Sequence, residues 1–462
     1  MKLRSSLIIF FILFLSLLAR IILQFQHIAL WWDSSVYLAM AKYLVSDGIS
    51  GIWEPIRPPL LPLLLTLGEF FHHSFFLGIA LQIALSLGCI LLLFFITEHH
   101  LSRKEDFLAI TLFSFSGVFL FLSSQVYTEI LAMFLILSAY FLFLRKQFFF
   151  AGMGISLAIL AKFPSGLFLF VLGFALLFSS SSLKLRFRHL SLFILGNLIF
   201  LVPFLLLNKL FYGSYLNVIF EAQEIIGSVL GCNVLYAKPW YFYFSSLFFS
   251  NPLLLLSVGG LFLRKKIKNY PLLLMSTLIP FLYFMSITCK DHRYSLFFLP
   301  FLCIFAAQGI MFVIEKYQFS YKKILVLVLL FSLISSFLFA FSLIIPTRNY
   351  FEDQAMNFFE QQNFSGPVLT THPRVALVSN ASVIPVYYAR YDARLAKQFS
   401  TYVHSSISYT LYFDTCAGGV ICPPDDLLCK EENEALITYI EQNTTILYDV
   451  TTERCRYLIA QT

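Results

Sequence analysis

Apolar residues run through this chain in long stretches, separated by short polar connections that carry most of the charge. A helix needs about 20 mostly apolar residues to cross a bilayer. Taken in order, such runs predict eleven membrane helices, at 6–25, 75–97, 107–123, 130–144, 148–161, 166–177, 190–207, 244–263, 270–287, 296–314 and 324–345. The first run follows Lys2 and Arg4, keeps Arg20 near its end, and meets no small-residue cleavage site before Trp31. It therefore reads as a signal anchor rather than a cleaved signal peptide. Beyond residue 345 the pattern changes. Short β-rich runs at 368–371, 384–388, 408–413, 446–450 and 457–460 alternate with helical stretches at 352–362 and 425–442. That alternation predicts a small α/β domain.

Composition agrees with the bilayer. Of 462 residues, 59% are hydrophobic and 12% charged, and the mean hydropathy is +0.80. Soluble domains carry about 25% charge, so a cytosolic enzyme is excluded, as is a disordered or collagenous chain. The net charge of +7 does not point to nucleic acid, because the cations mark topology. Six basic groups (Lys2/Arg4, Arg103/Lys104, Arg145/Lys146, Lys184/Arg186/Arg188, Arg264/Lys265/Lys266/Lys268 and Lys316/Lys322/Lys323) fall on alternate connections and total 16. The opposite connections hold seven: Lys42, Arg57, Lys162, Lys209, Lys238, Lys290 and Arg293. Cations favour the cytoplasmic side. The N-terminus is thus expected in the cytoplasm of a multi-pass cell-membrane protein, and eleven crossings put the C-terminus outside. The expected fold is a polytopic α-helical membrane domain, residues 1–345, followed by a small extracytoplasmic α/β domain, residues 346–462.

The tail fits that location. It holds eight Lys/Arg against thirteen Asp/Glu, and four of the eight cysteines: Cys416, Cys422, Cys429 and Cys455. The others, Cys89, Cys232, Cys289 and Cys303, are scattered along the apolar part. No Cys-x-x-Cys pair and no histidine at ligand spacing supports a metal site. Two disulfides suit an oxidising exterior better, with all three pairings open. Acceptor tripeptides begin at Asn363, Asn380 and Asn443 and agree with the same side.

Charges beside a bilayer are costly and usually functional. On the expected external side stand Asp33, Arg57, Glu129, Lys162, Lys290, His292 and Arg293. Each has a plain structural reading: Asp33 caps the helix that follows, Arg57 snorkels to headgroups, Glu129 bridges to Lys162, and Trp31 and Trp32 anchor the interface. As a set on one face, beside Trp and Pro-Pro, they suggest a site for an anionic amphipathic ligand.

Their order carries a resemblance. Asp33, Tyr37, then Arg57-Pro58-Pro59-Leu60-Leu61-Pro62, Thr128-Glu129 heading a helix, Lys162 after the fifth span, Pro239-Trp240-Tyr241, and Arg293-Tyr294 before Pro300 run in sequence over residues 1–345. This set resembles the GT-C glycosyltransferases, most nearly the protein O-mannosyltransferases and the lipid A aminoarabinose transferases. Ser34 stands where that family often has a second acid. Trp31-Trp32-Asp33 also looks like an oligosaccharyltransferase motif, but that motif belongs to a C-terminal domain, whereas this one follows the first span.

The resemblance implies inverting transfer of a sugar from a polyprenyl phosphate, undecaprenyl or dolichyl, to an acceptor hydroxyl outside the membrane. Dolichyl-phosphate mannose and protein glycosylation are the reading nearest the O-mannosyltransferases; the acceptor class is a protein, a glycan or a lipid. Asp33 is the implied base, because attack on C1 needs a carboxylate to take the hydroxyl proton. Arg57, Lys162 and Arg293, with Lys290 and His292, are implied to meet the lipid phosphate as it gains charge. Tyr37 and Tyr294 belong to the same motifs and to substrate binding. Glu129 orients the acceptor, pairs with a cation, or joins Asp33 around magnesium or manganese; otherwise no cofactor is required. The partners implied are the lipid-linked sugar and the bilayer, with no nucleic acid. A lipid-linked sugar flippase or solute transporter is the alternative, and a scaffold working through its tail is a third. Sugar transfer requires Asp33 and Arg57 to share one pocket.

Overall fold

The structure, a computed structural model, describes residues 2–25, 30–178, 182–224, 237–263, 267–344, 350–362, 364, 366–386, 407–416, 427–452 and 455–462, with backbone alone at 2–6, 224, 429–430 and 432–433. In chain order the first helices are α1 (Lys2–Gln24), α2 (Trp32–Val45), α3 (Leu60–Glu69), α4 (Ser74–His100), α5 (Arg103–Ser114), α6 (Gly117–Leu122), α7 (Thr128–Leu144), α8 (Phe148–Ala161) and α9 (Leu167–Leu177). They are followed by α10 (Leu183–Tyr212), α11 (Asn217–Glu224), α12 (Phe242–Ser250), α13 (Ser257–Leu261), α14 (Tyr270–Ser286), α15 (Leu299–Lys316) and α16 (Tyr321–Ile344).

Among the described residues α1, α4, α10, α15 and α16 are long and apolar enough to cross a membrane by themselves. Several expected spans are built from shorter pieces. The run at 107–123 becomes α5 and α6, because Phe115 and Ser116 leave helical geometry (φ −113° and −82°). Phe339 of α16 presses into this bend: a Cβ on Gly117 would stand 2.7 Å from its ring. The run at 244–263 breaks at Asn251, which is extended, and Pro252 then opens a 3-10 turn. The Asn251 amide caps that turn on Leu253 N–H (3.1 Å) and donates to Ser332 Oγ (2.8 Å). Hydropathy alone did not predict α3 and α11.

In lipid the burial of apolar surface drives helix pairing weakly, so close backbone packing decides contacts. Helices α8 and α10 meet through reciprocal glycines. A Cβ on Gly152 would collide with the Phe193 carbonyl oxygen, and one on Gly196 with that of Phe149. By contrast α15 lies at the centre, with Phe301, Cys303, Phe305, Ala306 and Ala307 fully enclosed.

The tail contributes α17 (Tyr350–Gln361), β1 (Val368–Thr370), α18 (Val375–Val378), β2 (Val383–Pro385), β3 (Thr410–Asp414), α19 (Leu427–Asn443), β4 (Thr445–Thr451) and β5 (Arg456–Gln461). These form one five-stranded sheet in the order β2-β1-β3-β5-β4. Strand β1 runs parallel to both neighbours, while β5 is antiparallel to β3 and β4. Alternate residues of β3 and β5 face opposite ways, which buries both faces of the sheet. Tyr412, Tyr457 and Ile459 pack on Ala355, Met356 and Phe359 of α17. Leu411, Phe413, Leu458 and Ala460 pack on Ile440 of α19. Cys416 and Cys455 form a disulfide. Cys422 and the side chain of Cys429 lie outside the described residues, as do Lys2 and Arg4 side chains, Cys232, Arg264, Lys265, Lys266 and Asn363.

Candidate active site

Four acids and three bases from separated stretches of chain meet at one end of the bundle, beside the sheet. Asp33 sits in the first turn of α2, whose N-cap is Trp31 without a side-chain bond. The capping expectation for Asp33 therefore fails. Its carboxylate instead holds Arg57 Nη1 at 2.8 Å and Arg293 Nη1. Arg57 occupies a tight turn, its N–H donating to Glu54 O (3.1 Å) and its Nε lying 2.9 Å from Glu54 Oε2. It is thus paired within protein rather than snorkelling to headgroups.

Glu129 heads α7, where the positive end of the helix favours an acid. Its side chain is 1% exposed and meets Lys162 Nζ at 2.7 Å. Lys162 follows α8 in an extended conformation just before the Pro164 turn, which aims its side chain back at α7. Arg293 joins the two pairs. It reaches Asp33, lies 3.8 Å from Glu129 Oε1, and is held by Asp291 at 3.3 Å. Asp291 also accepts the Arg293 N–H (3.0 Å), fixing the turn that carries the arginine. Tyrosine faces surround the cations: Tyr37 by Arg57, Tyr294 by Lys162, and Tyr127 and Tyr294 by Arg293, at 5.5–6.0 Å.

Charge state follows from these neighbours. Burial pushes the Asp33 carboxyl up, but Arg57, Arg293 and Lys162 overcome it and hold the group well below the usual carboxylate range. Burial likewise lowers Lys162, and Glu129 more than restores it. Four carboxylates (Asp33, Glu54, Glu129, Asp291) face three cations (Arg57, Lys162, Arg293), so an incoming anion must compete for cations already engaged. A divalent ion would face the same contest. Asp33 and Glu129 are already neutralised by fixed cations, and no group of three His, Cys, Asp or Glu suited to a metal occurs among the described residues.

A cavity of 270 Å³ adjoins Arg293. Trp31, Val118, Phe121, Leu122, Phe242 and Leu343 form an apolar wall, while Lys238, Lys290, Asp291, His292 and Arg293 form a polar one. Lys290 Nζ donates to the carbonyls of Ile287 (2.7 Å) and Lys238 (3.2 Å), so it ties two loops together at the cavity edge. His292 Nδ1 lies 2.6 Å from Ser246 Oγ. Both therefore stand beside the ion cluster rather than in it. Tyr37 Oη approaches Thr128 Oγ1 at 3.5 Å, and Ser34 Oγ, where a second acid was absent, approaches Gln125 at 3.5 Å.

Sequence reasoning missed Glu54, Asp291, Tyr127 and Lys238. Glu54 was findable from its three-residue spacing to Arg57, Asp291 from its place two residues before Arg293, and Lys238 from its place among the external cations; Tyr127 had no signal before the chain was folded. The tryptophans are also corrected as interface anchors, since both pack on protein. Trp31 lies against Phe121 and Tyr127, and Trp32 against His372. Cys289 is disulfide-bonded, which its isolated position did not suggest.

These features define a multi-pass, mostly helical membrane protein with a small C-terminal sheet. Two crystal structures of ArnT from Cupriavidus metallidurans share that fold. The apo form matches with a TM-score of 0.67, and the form bound to undecaprenyl phosphate with 0.64. Each match covers 99% of this chain and 97% of the other at 11% identity. The likeness is one of fold, and it falls within one of the two groups that the sequence motifs resembled. No protein-family model and no curated protein matches the sequence.

Proposed function

We propose that this protein is a membrane glycosyltransferase that moves a sugar from a polyprenyl phosphate to an acceptor hydroxyl, with inversion at the anomeric carbon. The observation that carries the reading is the shared carboxylate: Asp33 held between Arg57 and Arg293, next to the Glu129–Lys162 pair. The amphipathic cavity beside Arg293 supports it, because a lipid phosphate needs cations and an apolar channel together. So does the fold shared with ArnT, one structure of which holds undecaprenyl phosphate.

The paired state of Asp33 explains how donor and base are coupled. A carboxylate held by two arginines is a weak base. When the donor phosphate draws Arg57 and Arg293 to its own oxygens, Asp33 loses its counter-charges and becomes able to take a proton. The acceptor oxygen then attacks C1 from the face opposite the phosphate. Its proton passes to Asp33, the C1–O bond breaks, and its electrons leave with the lipid phosphate. That phosphate gains a charge, so fixed cations bind it more tightly than they bound the diester. Glu129 holds Lys162 toward the same point. Tyr37 and Tyr294 flank the cations and fit the sugar.

The donor in this reading is an undecaprenyl- or dolichyl-phosphate sugar, and the acceptor is a hydroxyl of a protein, glycan or lipid on the same face. The cation asymmetry and the Cys416–Cys455 disulfide support placing that face and the sheet outside the cell membrane, with the N-terminus in the cytoplasm. Purified protein supplied with undecaprenyl-phosphate hexose or pentose and a membrane extract as the source of acceptor hydroxyls is expected to release undecaprenyl phosphate, and Asp33→Asn to stop it. Full turnover by the variant would remove Asp33 as the base.

A further inference from the structure

The sheet of the tail meets the bundle at α2, the helix that carries Asp33. Three contacts make this junction. At the start of α2, Trp32 packs edge-on against His372 with ring centroids 5.5 Å apart, and joins the apolar cluster of Leu411, Phe413 and Leu458. At mid-helix, Ala39 and Ile52 enclose Ala376 of α18. Toward its end, Lys42 Nζ donates to the carbonyls of Leu377 (2.7 Å) and Ser379 (2.8 Å). An ammonium is well placed there, because the last carbonyls of a helix lack partners. Gly51, at φ +79°, brings the loop after α2 against the Ala39 carbonyl and then pairs with Ser382 beside β2.

The position of His372 in the sheet gives this meaning. It follows β1, the strand whose parallel neighbours β2 and β3 lie on opposite sides. Open α/β sheets carry their ligand crevice at such a strand end. Here Trp32 faces it. His372 is itself fixed. Its Nδ1 accepts the Arg374 N–H at 3.2 Å, its own N–H donates to Thr370 Oγ1 at 3.0 Å, and Nε2 stands 3.7 Å from Glu352. A rigid ring therefore bears on the residue immediately before Asp33. In contrast, α2 has no side-chain cap of its own.

We propose that the C-terminal sheet positions Asp33, gripping α2 at its first turn through Trp32 on His372 and near its last turn through Lys42 on α18. Trp32 and Lys42 are then positioning residues: they touch no substrate, and act by fixing the helix from which Asp33 meets Arg57 and Arg293. The role assigned to Asp33 rests on the transferase reading above; the grip on α2 does not.

The test uses full-length protein in detergent or nanodiscs, with variants Lys42→Met, Lys42→Arg, Trp32→Ala and Trp32→Phe. Hydrogen exchange of the α2 amides is read by mass spectrometry, and kcat and KM are read with undecaprenyl-phosphate sugar. Lys42→Met and Trp32→Ala are expected to speed α2 exchange at least tenfold. They should lower kcat ten- to a hundredfold at nearly constant KM. Lys42→Arg and Trp32→Phe should restore most of both. Unchanged α2 exchange in Lys42→Met and Trp32→Ala overturns the grip. Faster exchange with unchanged kcat overturns the positioning role. If the unmodified chain transfers no sugar, the transferase reading fails, and exchange alone still decides whether the sheet fixes α2. Should Trp32→Ala fail to fold, the Lys42 pair and Trp32→Phe carry the same decision.

Discussion

If the proposed sugar transfer holds, replacing Asp33 by asparagine should tighten the binding of a lipid phosphate while stopping turnover. The carboxylate is the counter-charge of Arg57 at 2.8 Å and of Arg293, and its side chain is 10% exposed. A phosphate seated on the same guanidiniums would lie on the order of 7 Å from that carboxylate. At an effective dielectric near 20, two like charges at that separation repel by roughly 2 kcal/mol. Asparagine removes the repulsion and frees both arginines, which corresponds to an affinity gain of about thirtyfold. Over the same change the loss of the base should slow transfer by about 10²–10⁴-fold. The stability cost should be modest, because Arg57 keeps Glu54 and Arg293 keeps Asp291. A lost charged hydrogen bond is worth about 1.5–3 kcal/mol. The assay is equilibrium binding of undecaprenyl phosphate in detergent micelles at low and high salt, beside lipid-phosphate release from the glycosylated donor. Weaker or unchanged binding by a folded Asp33→Asn protein would falsify the idea that donor and carboxylate compete for the arginines.

Further expectations follow from the same contacts. Arg293→Met removes the cation shared by both ion pairs, and should cost about 2.7–4 kcal/mol of transition-state stabilisation, read as kcat/KM, by analogy with lost oxyanion donors. Lys162→Met leaves Glu129 buried without its near partner and should cost about 3–5 kcal/mol; adding Glu129→Gln should recover much of it, and a thermal melt that moves equally for single and double variants refutes the pairing. Burial, helped by Arg374, pushes His372 down to about 3. A depressed histidine stabilises the fold above its unfolded value of about 6.5, and that contribution is lost as pH falls toward the folded value. Stability should therefore decline between pH 6.5 and 5 by roughly 1–2 kcal/mol, a slope that His372→Gln should flatten in melts across that range. Asp33 is depressed too, so its share is lost only below the normal carboxylate range of about 4. Breaking Cys416–Cys455, which closes a separation of 39 residues, should cost about 4 kcal/mol, visible as a reductant-sensitive melting step that Cys416→Ser abolishes.

Features that depend on local order were legible in the chain. Runs of apolar residues produced the helices, because backbone groups in lipid have few other ways to be satisfied. Alternating short runs past residue 345 produced the strands, because side chains in a strand alternate faces. It also marked Asp33, Arg57, Glu129, Lys162 and Arg293 as charges where charge is costly. Tertiary structure alone decided which of them meet. Asp33 and Arg293 are 260 residues apart, and only the folded chain brings the turn that carries Arg293 to the first turn of α2. The same holds for Trp32, which polarity suggested for the membrane interface and which the sheet instead covers. Broken spans such as 244–263 were missed for a related reason: hydropathy counts apolar residues and is blind to the Asn251-Pro252 step, where the chain turns extended and the Asn251 side chain meets Ser332 of a distant helix. Hydropathy is a property of residues, whereas a charge pair is a property of places, and places exist only once the chain has folded.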